Sequence, residues 1–402
     1  MFRSLRNRNY RLFMSGQVIS NIGTWMQRIA QDWLVLELTH GSGVALGITT
    51  GLQFLPMLLL GLWGGVITDR YPRRRLLMLT QIGLGLPALV LGVLAVGGSA
   101  EVWHVYLLAF ALGMVTVVDN PARQAFAVEM VGKEDLPNAI ALNSATFNGA
   151  RVVGPAVAGV LIALIGTGPV FLINAASFGA VILGLGMMRE NELRTLPPVP
   201  RAKGQLREGL RYVRGRPELV TVLVTIALVA GFSMNFQVTT SLMATEVFGR
   251  GASEFGLAST LMAVGSVSGA LLAARRAMPT RRLLYGAVLV FGVLEVLVGL
   301  MPTWPAFLLM LVPAGLVLMT FTTAANATVQ LGVSAEMRGR VMALYMLVFM
   351  GTNPICAPLV GWVAEAFGAR SAIVLGGAVA IATAAAVIAY PRIRRETVVP
   401  SA

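Results

Sequence analysis

The chain of 402 residues has little of what a soluble enzyme uses for chemistry. Its one cysteine, Cys356, lies inside an apolar run, which excludes a disulfide framework and a CxxC-type metal site. Its two histidines, His40 and His104, fall in separate inter-span segments and read as ordinary loop residues, so no metal centre is expected. Charged residues make up only 12%, against about 25% in a typical soluble domain. Lysine is almost missing: Lys133 and Lys203 are the only two, and the net charge of +13 comes from arginine. With no phosphate loop, no G-x-S-x-G and no clustered ligands, neither an enzyme nor a bound cofactor is expected.

What is present is apolar mass, 56% of all residues, with a mean hydropathy of +0.76. Runs long enough to cross a bilayer core of about 30 Å recur along the whole chain. They predict spans at 12–36, 45–68, 76–97, 103–122, 137–165, 168–188, 218–246, 253–274, 284–301, 305–330, 338–365 and 370–390. Lipid is therefore the expected solvent, and the basic charge does not point to nucleic acid. Of the 31 lysines and arginines, 27 lie in the two terminal segments and alternate loops, while the other loops hold only Arg250, with Arg370 at a border. By the positive-inside rule this places both termini in the cytoplasm and requires an even number of spans. The opening segment, with Arg3, Arg6, Arg8 and Arg11 before a full-length span, reads as a cytoplasmic lead-in rather than a cleaved signal.

The longest polar stretch, 189–217, divides the spans into bundles at 1–188 and 218–402. It starts with a Pro-rich run, 196–200, and continues with Leu206, Leu210 and Val213 opposite Arg207, Arg211 and Arg214. That pattern suggests a short amphipathic helix on the membrane surface, or else a plain tether. The halves also repeat. Ala141, Leu142, Phe147, Gly149, Gly159 and Gly166 recur 202 residues later as Ala343, Leu344, Phe349, Gly351, Gly361 and Gly368. Gly61-xxx-Gly65 and Gly265-xxx-Gly269 recur at nearly the same offset, and small residues four apart let helix backbones approach closely in lipid. The expected fold is an all-α membrane protein with twelve transmembrane helices in two pseudo-symmetric six-helix bundles. Transporters built from paired repeats hold their site at mid-membrane.

Polar residues inside the spans mark the candidate site. On the first span Gln17, Asn21, Thr24, Arg28, Gln31 and Asp32 fall within an arc of roughly 100° at helical spacing. A charge at the bilayer centre costs roughly 2.5–3.5 kcal/mol on insertion scales, so this face should line a wet cavity, with Arg28 and Asp32 paired one turn apart. The fourth span carries Thr116, Asn120 and Arg123 with Asp119, the seventh Ser233, Gln237 and Thr240, and the tenth Thr323, Asn326 and Gln330. Arg151 extends a stripe with Ser144 and Asn148 on the fifth. The third, ninth and twelfth spans look nearly all apolar, with Glu295 isolated in the ninth and read as a carboxyl buried against a neighbour.

Between the second and third spans stands Gly65-Val-Ile-Thr-Asp69-Arg70-Tyr-Pro72-Arg73-Arg74-Arg75. It resembles the G-x-x-x-D-R-x-G-R-[RK] loop signature of the major facilitator superfamily, with Pro72 in place of the usual glycine. The second half keeps Gly269 but has Ala273 where Asp69 would be, so the gating lock should be asymmetric. In the fifth span Ala150 to Gly159, with Gly154-Pro155, resembles the superfamily's antiporter motif, and a Gly-Pro pair suits a hinge. Segments at 23–27, 33–39, 119–124, 136–144 and 209–213 are similar to the branch containing the bacterial enterobactin exporter and macrolide-efflux-like permeases. No arginine stands in the outer half of the fourth span, a departure from many drug antiporters.

The resemblance implies alternating access, proton-coupled efflux of amphiphilic small molecules such as drugs or siderophores, a monomer, and the inner membrane of a bacterium. In that reading Asp32 carries the proton, Arg28 pairs with it, and Gly65, Asp69, Arg70, Arg73, Arg74, Asp119 and Arg123 form the gate. Trp25, Met26, Phe232, Met234, Phe236 and Met243 offer aromatic and sulfur surface to varied cargo. An importer, symporter or facilitator on the same fold is the alternative, and a non-transporting sensor or scaffold a further one, because fold does not fix function.

Overall fold

A computed structural model describes residues 3–194, 205–275 and 278–389. The Pro-rich run 196–200, Lys203, Arg276 and the C-terminal arginines from Arg392 onward lie outside the described residues. The described residues form helices and no strands. In the first half these are α1 (Arg8–Thr39), α2 (Gly43–Arg70), α3 (Arg73–Val96), α4 (Val102–Gly132), α5 (Glu134–Ile165) and α6 (Thr167–Gly186). A short helix follows, α7 (Gln205–Arg214). The second half has α8 (Pro217–Val247), α9 (Ala252–Ala274), α10 (Arg281–Leu300), α11 (Trp304–Leu331), α12 (Glu336–Phe367) and α13 (Ala369–Ala389).

Among the described residues, eleven of these helices are long and apolar enough to cross a membrane. The twelfth span is α1, whose 32 residues are more than long enough but carry the polar face. Helix starts follow from local chemistry. Asn7 and Ser42 accept the backbone N–H of Tyr10 and Ala45, and Thr280 does the same for Leu283 at 3.1 Å. His104 closes a capping box with Glu101, and His40 ends α1 in a left-handed turn, so both histidines belong to helix ends.

Two expectations need correction. The segment 123–136 is not an open loop: α4 runs on to Gly132, whose φ of 73° marks a one-residue kink into α5. Hydropathy falls there because the helix leaves the apolar zone, not because it stops. Second, α8 is interrupted. Helix holds over Pro217–Leu228, turns π-helical at Val229–Ser233, breaks at 234–235, and resumes at Phe236.

The chain packs into two compact units, 1–201 with 240–260, and 202–239 with 261–402. In the first unit α2 lies on α4, and α1 lies on both the α4–α5 pair and α6. A Cβ on Gly64 would collide with the carbonyl of Val117, and one on Gly113 with the carbonyl of Gln53. Gly64 thus makes a close approach, whereas the nearest atoms to Gly61 are those of the Met57 side chain. In the second unit Gly265 and Gly269 sit against the carbonyls of Val312 and Leu316, and Gly315 against that of Met262. The amphipathic stretch is helical and docks on protein. In α7, Val213 is buried, Gly209 lies against Arg340, and Glu208 pairs with Arg340 at 2.6 Å.

Candidate functional site

Within the first unit the structure brings the polar face of α1 together with α5. Asp32 is 2% exposed and Gln31 is buried, its amide donating to Gln53 of α2 at 3.3 Å. Arg28 interacts electrostatically with Asp32, and its guanidinium lies 4.7 Å from the centre of the Trp25 ring. Trp25 meets Phe147 of α5 edge-on, with centroids 5.8 Å apart. Arg151, one turn beyond Phe147 on α5, lies within electrostatic range of Arg28. So Trp25, Arg28, Asp32, Phe147 and Arg151 form one half-buried, strongly polar cluster at membrane depth.

The α1–α5 crossing that makes this cluster rests on Gly154. A Cβ there would lie 2.5 Å from that of Trp25 and 3.1 Å from the Ile22 carbonyl oxygen. Gly159 and Pro155 meet Gly256 in the 252–260 segment of α9. The antiporter-like motif is thus used for close packing of α5 on its neighbours. Other predicted site residues satisfy their own helices. Thr24 donates to the Ser20 carbonyl, Thr116 to Leu112, Asn148 to Ser144 and Thr323 to Met319, all at 2.7–2.8 Å. Asn21 is half-buried and Asn120 exposed.

Gln17, Asp119 and Arg123 join at one end of the unit. Asp119 is 3% exposed; it accepts Thr80 at 2.7 Å and Gln81 at 2.8 Å, and its other oxygen takes Arg123. Arg123 also donates to Gln17 of α1. Three helices are tied by one buried ion pair. Thr80 and Gln81 were missed because α3 reads as apolar; an adjacent Thr-Gln pair inside a span was the available signal. Gln27 and Asn174, which bond across α1 and α6, were missed as well, because Gln27 falls outside the polar arc of α1.

The loop motif lies nearby, at the arginine-rich end. Arg73 pairs with Glu129 of α4, both nearly buried. Arg74 donates to the carbonyls of Leu185 and Gly186 at 2.7 and 3.0 Å, capping α6, and reaches Glu190. Asp69, Arg73, Arg74, Glu129 and Glu190 line a cavity of about 460 Å³. Arg70 is exposed.

In the second unit Ser233 donates to the Gly376 carbonyl at 2.7 Å, Gln237 is half-buried, and Gln330 donates to Asn326 at 2.7 Å. Thr240 is buried and belongs to the segment packed with the first unit. Met26, Phe236 and Met243 are core residues, so they offer no open surface to cargo in this state.

Twelve spans in two units with repeated glycine crossings and a superfamily loop motif define a transporter of the major facilitator superfamily, not an enzyme. More narrowly, residues 1–401 match the model of the transmembrane secretion effector family, and the chain belongs to it. It is 27% identical to the staphyloferrin A transporter of Staphylococcus aureus over 261 residues, 65% of each chain. The chain thus spans just under two thirds of that relative's length. It is 26% identical to the multidrug efflux pump Tap of Mycolicibacterium fortuitum over 89% of both chains. Macrolide efflux protein A of Streptococcus pyogenes is 24% identical over 92% of this chain and 93% of its own. Among solved structures, a bacterial homolog of the human lysosomal transporter Spinster matches with a TM-score of 0.76 at 16% identity. It covers 98% of this chain and 99% of its own, which supports the fold.

Proposed function

We propose that this transporter exports amphiphilic small molecules by alternating access, in exchange for protons, across the inner membrane of a bacterium. Both termini lie in the cytoplasm, and the working unit is a monomer. The observation that carries the reading is the α1–α5 cluster, where Asp32 is almost fully buried beside Arg28. An ionisable pair at membrane depth is costly to keep, and in transporters such groups serve ion and substrate pathways. Asp32 takes the proton, and Arg28 stabilises the carboxylate when the proton leaves. Trp25 and Phe147 supply an aromatic wall for apolar cargo. Gln17, Asn21, Thr24, Thr116, Asn120, Asn148 and Arg151 add polar contacts from the first unit, and Ser233, Gln237, Thr323, Asn326 and Gln330 from the second.

The arginine-rich end is the gate. Arg73, Arg74 and the Asp119–Arg123 pair hold its helices together, and Asp69, Arg70 and Gly65 complete the loop. Gly154, Pro155 and Gly159 form the pivot of α5. Names of relatives that include efflux pumps and a siderophore transporter support export.

The test is accumulation of ethidium and of a macrolide in whole cells lacking the gene and complemented with it. Export predicts lower accumulation in complemented cells, abolished by an uncoupler. Higher accumulation in complemented cells would establish uptake instead.

A further inference from the structure

The buried carboxyl of the second unit, Glu295, has no part in the account above. It is 3% exposed on α10 and faces the π-helical interruption of α8. Gly376 of α13 lies directly against it. A Cβ there would be 2.6 Å from Glu295 Oε1 and 2.9 Å from the Phe232 carbonyl oxygen. Only glycine lets the carboxyl and the loosened backbone of α8 converge on that spot. The α10–α13 crossing is equally tight, with Gly292 and Gly377 against each other's carbonyls. Irregular backbone at membrane depth is tolerated where protein buries it, and broken helices are where transporters hold their coupling ions.

The hydrogen bonds couple the protonation of Glu295 to the orientation of Ser233. Ser233 is the side chain that meets the Glu295 carboxyl. Its single hydroxyl proton is already donated to the Gly376 carbonyl at 2.7 Å. While that bond holds, the Ser233 oxygen can only accept from Glu295, and the carboxyl must then carry the proton; turned toward Glu295, the same hydroxyl donates to a carboxylate. Oε2 has no partner among the described residues. Among the described residues no arginine pairs with Glu295. Arg370 of α13 holds the carbonyls of Gly299 and Met301, and Arg281 of α10 pairs with Glu218 at the start of α8. Arg282 sits at the start of α10, Glu246 near the far end of α8, and α11 carries no charged residue.

We propose that Glu295, Ser233 and the Gly376 carbonyl form a proton-binding site at the break in α8, separate from Asp32 and independent of its role. With the proton bound, the chain runs Glu295 O–H to Ser233 Oγ, and Ser233 O–H to Gly376 carbonyl. When the proton passes to water as hydronium, the carboxylate keeps only lone pairs. The Ser233 hydroxyl then turns to donate to it and lets go of Gly376, loosening α8 from α13. The two arrangements are discrete, so proton binding biases the packing of α8.

The test uses the full-length protein in lipid vesicles, carrying Asp32→Asn so that the other carboxyl contributes nothing. Infrared spectra are recorded with and without Glu295→Gln, in water and in D2O, as pH is raised. The expected difference is a neutral-carboxyl band that shifts in D2O and is lost at high pH, at a pH that Ser233→Ala changes. A band that ignores D2O, persists through the whole pH range, or is missing from the difference overturns the proposal. Where Glu295→Gln does not fold, Glu295→Asp must move the same band; a spectrum it leaves unchanged overturns the proposal equally.

Discussion

In α4, toward the arginine-rich end of the first unit, Asp119 and Arg123 form an ion pair with Asp119 only 3% exposed. At the matching place in α11, 202 residues on, stand Phe321 and Ala325, both fully buried. The same helix position is thus filled once by a hydrogen-bonded charge pair and once by an aromatic ring and a methyl group. Meanwhile the glycine crossings that set helix spacing recur in both units, at Gly64 and Gly113 and at Gly265, Gly269 and Gly315. The repeat maintains packing, which is the common requirement of both halves in lipid. It does not maintain charge, and a buried ion pair is seldom kept for stability alone because well-packed apolar residues serve as well or better. In the proposed function the first unit uses its pair to switch the helix ties, while the second unit buries a carboxyl at Glu295 instead.

The largest effect is expected from Asp119→Ala, which leaves Arg123 buried with only Gln17. Thermal unfolding should register a loss of about 3–5 kcal/mol. Writing the second unit's solution into the first, Asp119→Phe with Arg123→Ala, should recover most of that stability while export of ethidium stays lost. Recovery of export would mean the pair is only structural.

Gly64→Leu and Gly265→Leu should each destabilise by about 1–3 kcal/mol, with similar size in both units. A strong effect in one and none in the other would break the packing repeat. The smallest effect concerns an exposed ion pair. Arg340→Ala removes a pair whose Glu208 side chain is 54% exposed, so about 0–1 kcal/mol is expected in a denaturation series. Arg73→Ala should cost more, because its pair with Glu129 is 12% and 7% exposed. Equal losses would contradict the difference in burial.

Much of the fold was legible from residue order. Apolar runs set the spans and arginine placement their orientation, and the described ends agree within a few residues outside the α4–α5 junction. That junction failed because Gly132 kinks a helix that hydropathy alone reads as a loop. Gly64, which the small-xxx-small spacing did not single out, meets the Val117 carbonyl, since sequence spacing does not give a glycine's facing partner. At the site, the polar arc of α1 was visible as periodicity. The Thr80 and Gln81 partners of Asp119 were not, because they come from another helix and depend on packing. Neither was the break in α8, where the sequence Gly231-Phe-Ser-Met-Asn235 contains no proline to announce it.

The central claim, export coupled to protons through Asp32, is tested most directly in everted membrane vesicles that acidify their interior. Wild-type vesicles should accumulate ethidium and release protons as they do so. Asp32→Asn vesicles should bind ethidium yet neither concentrate it nor move protons. Gradient-driven accumulation by Asp32→Asn with unchanged proton movement would contradict the account.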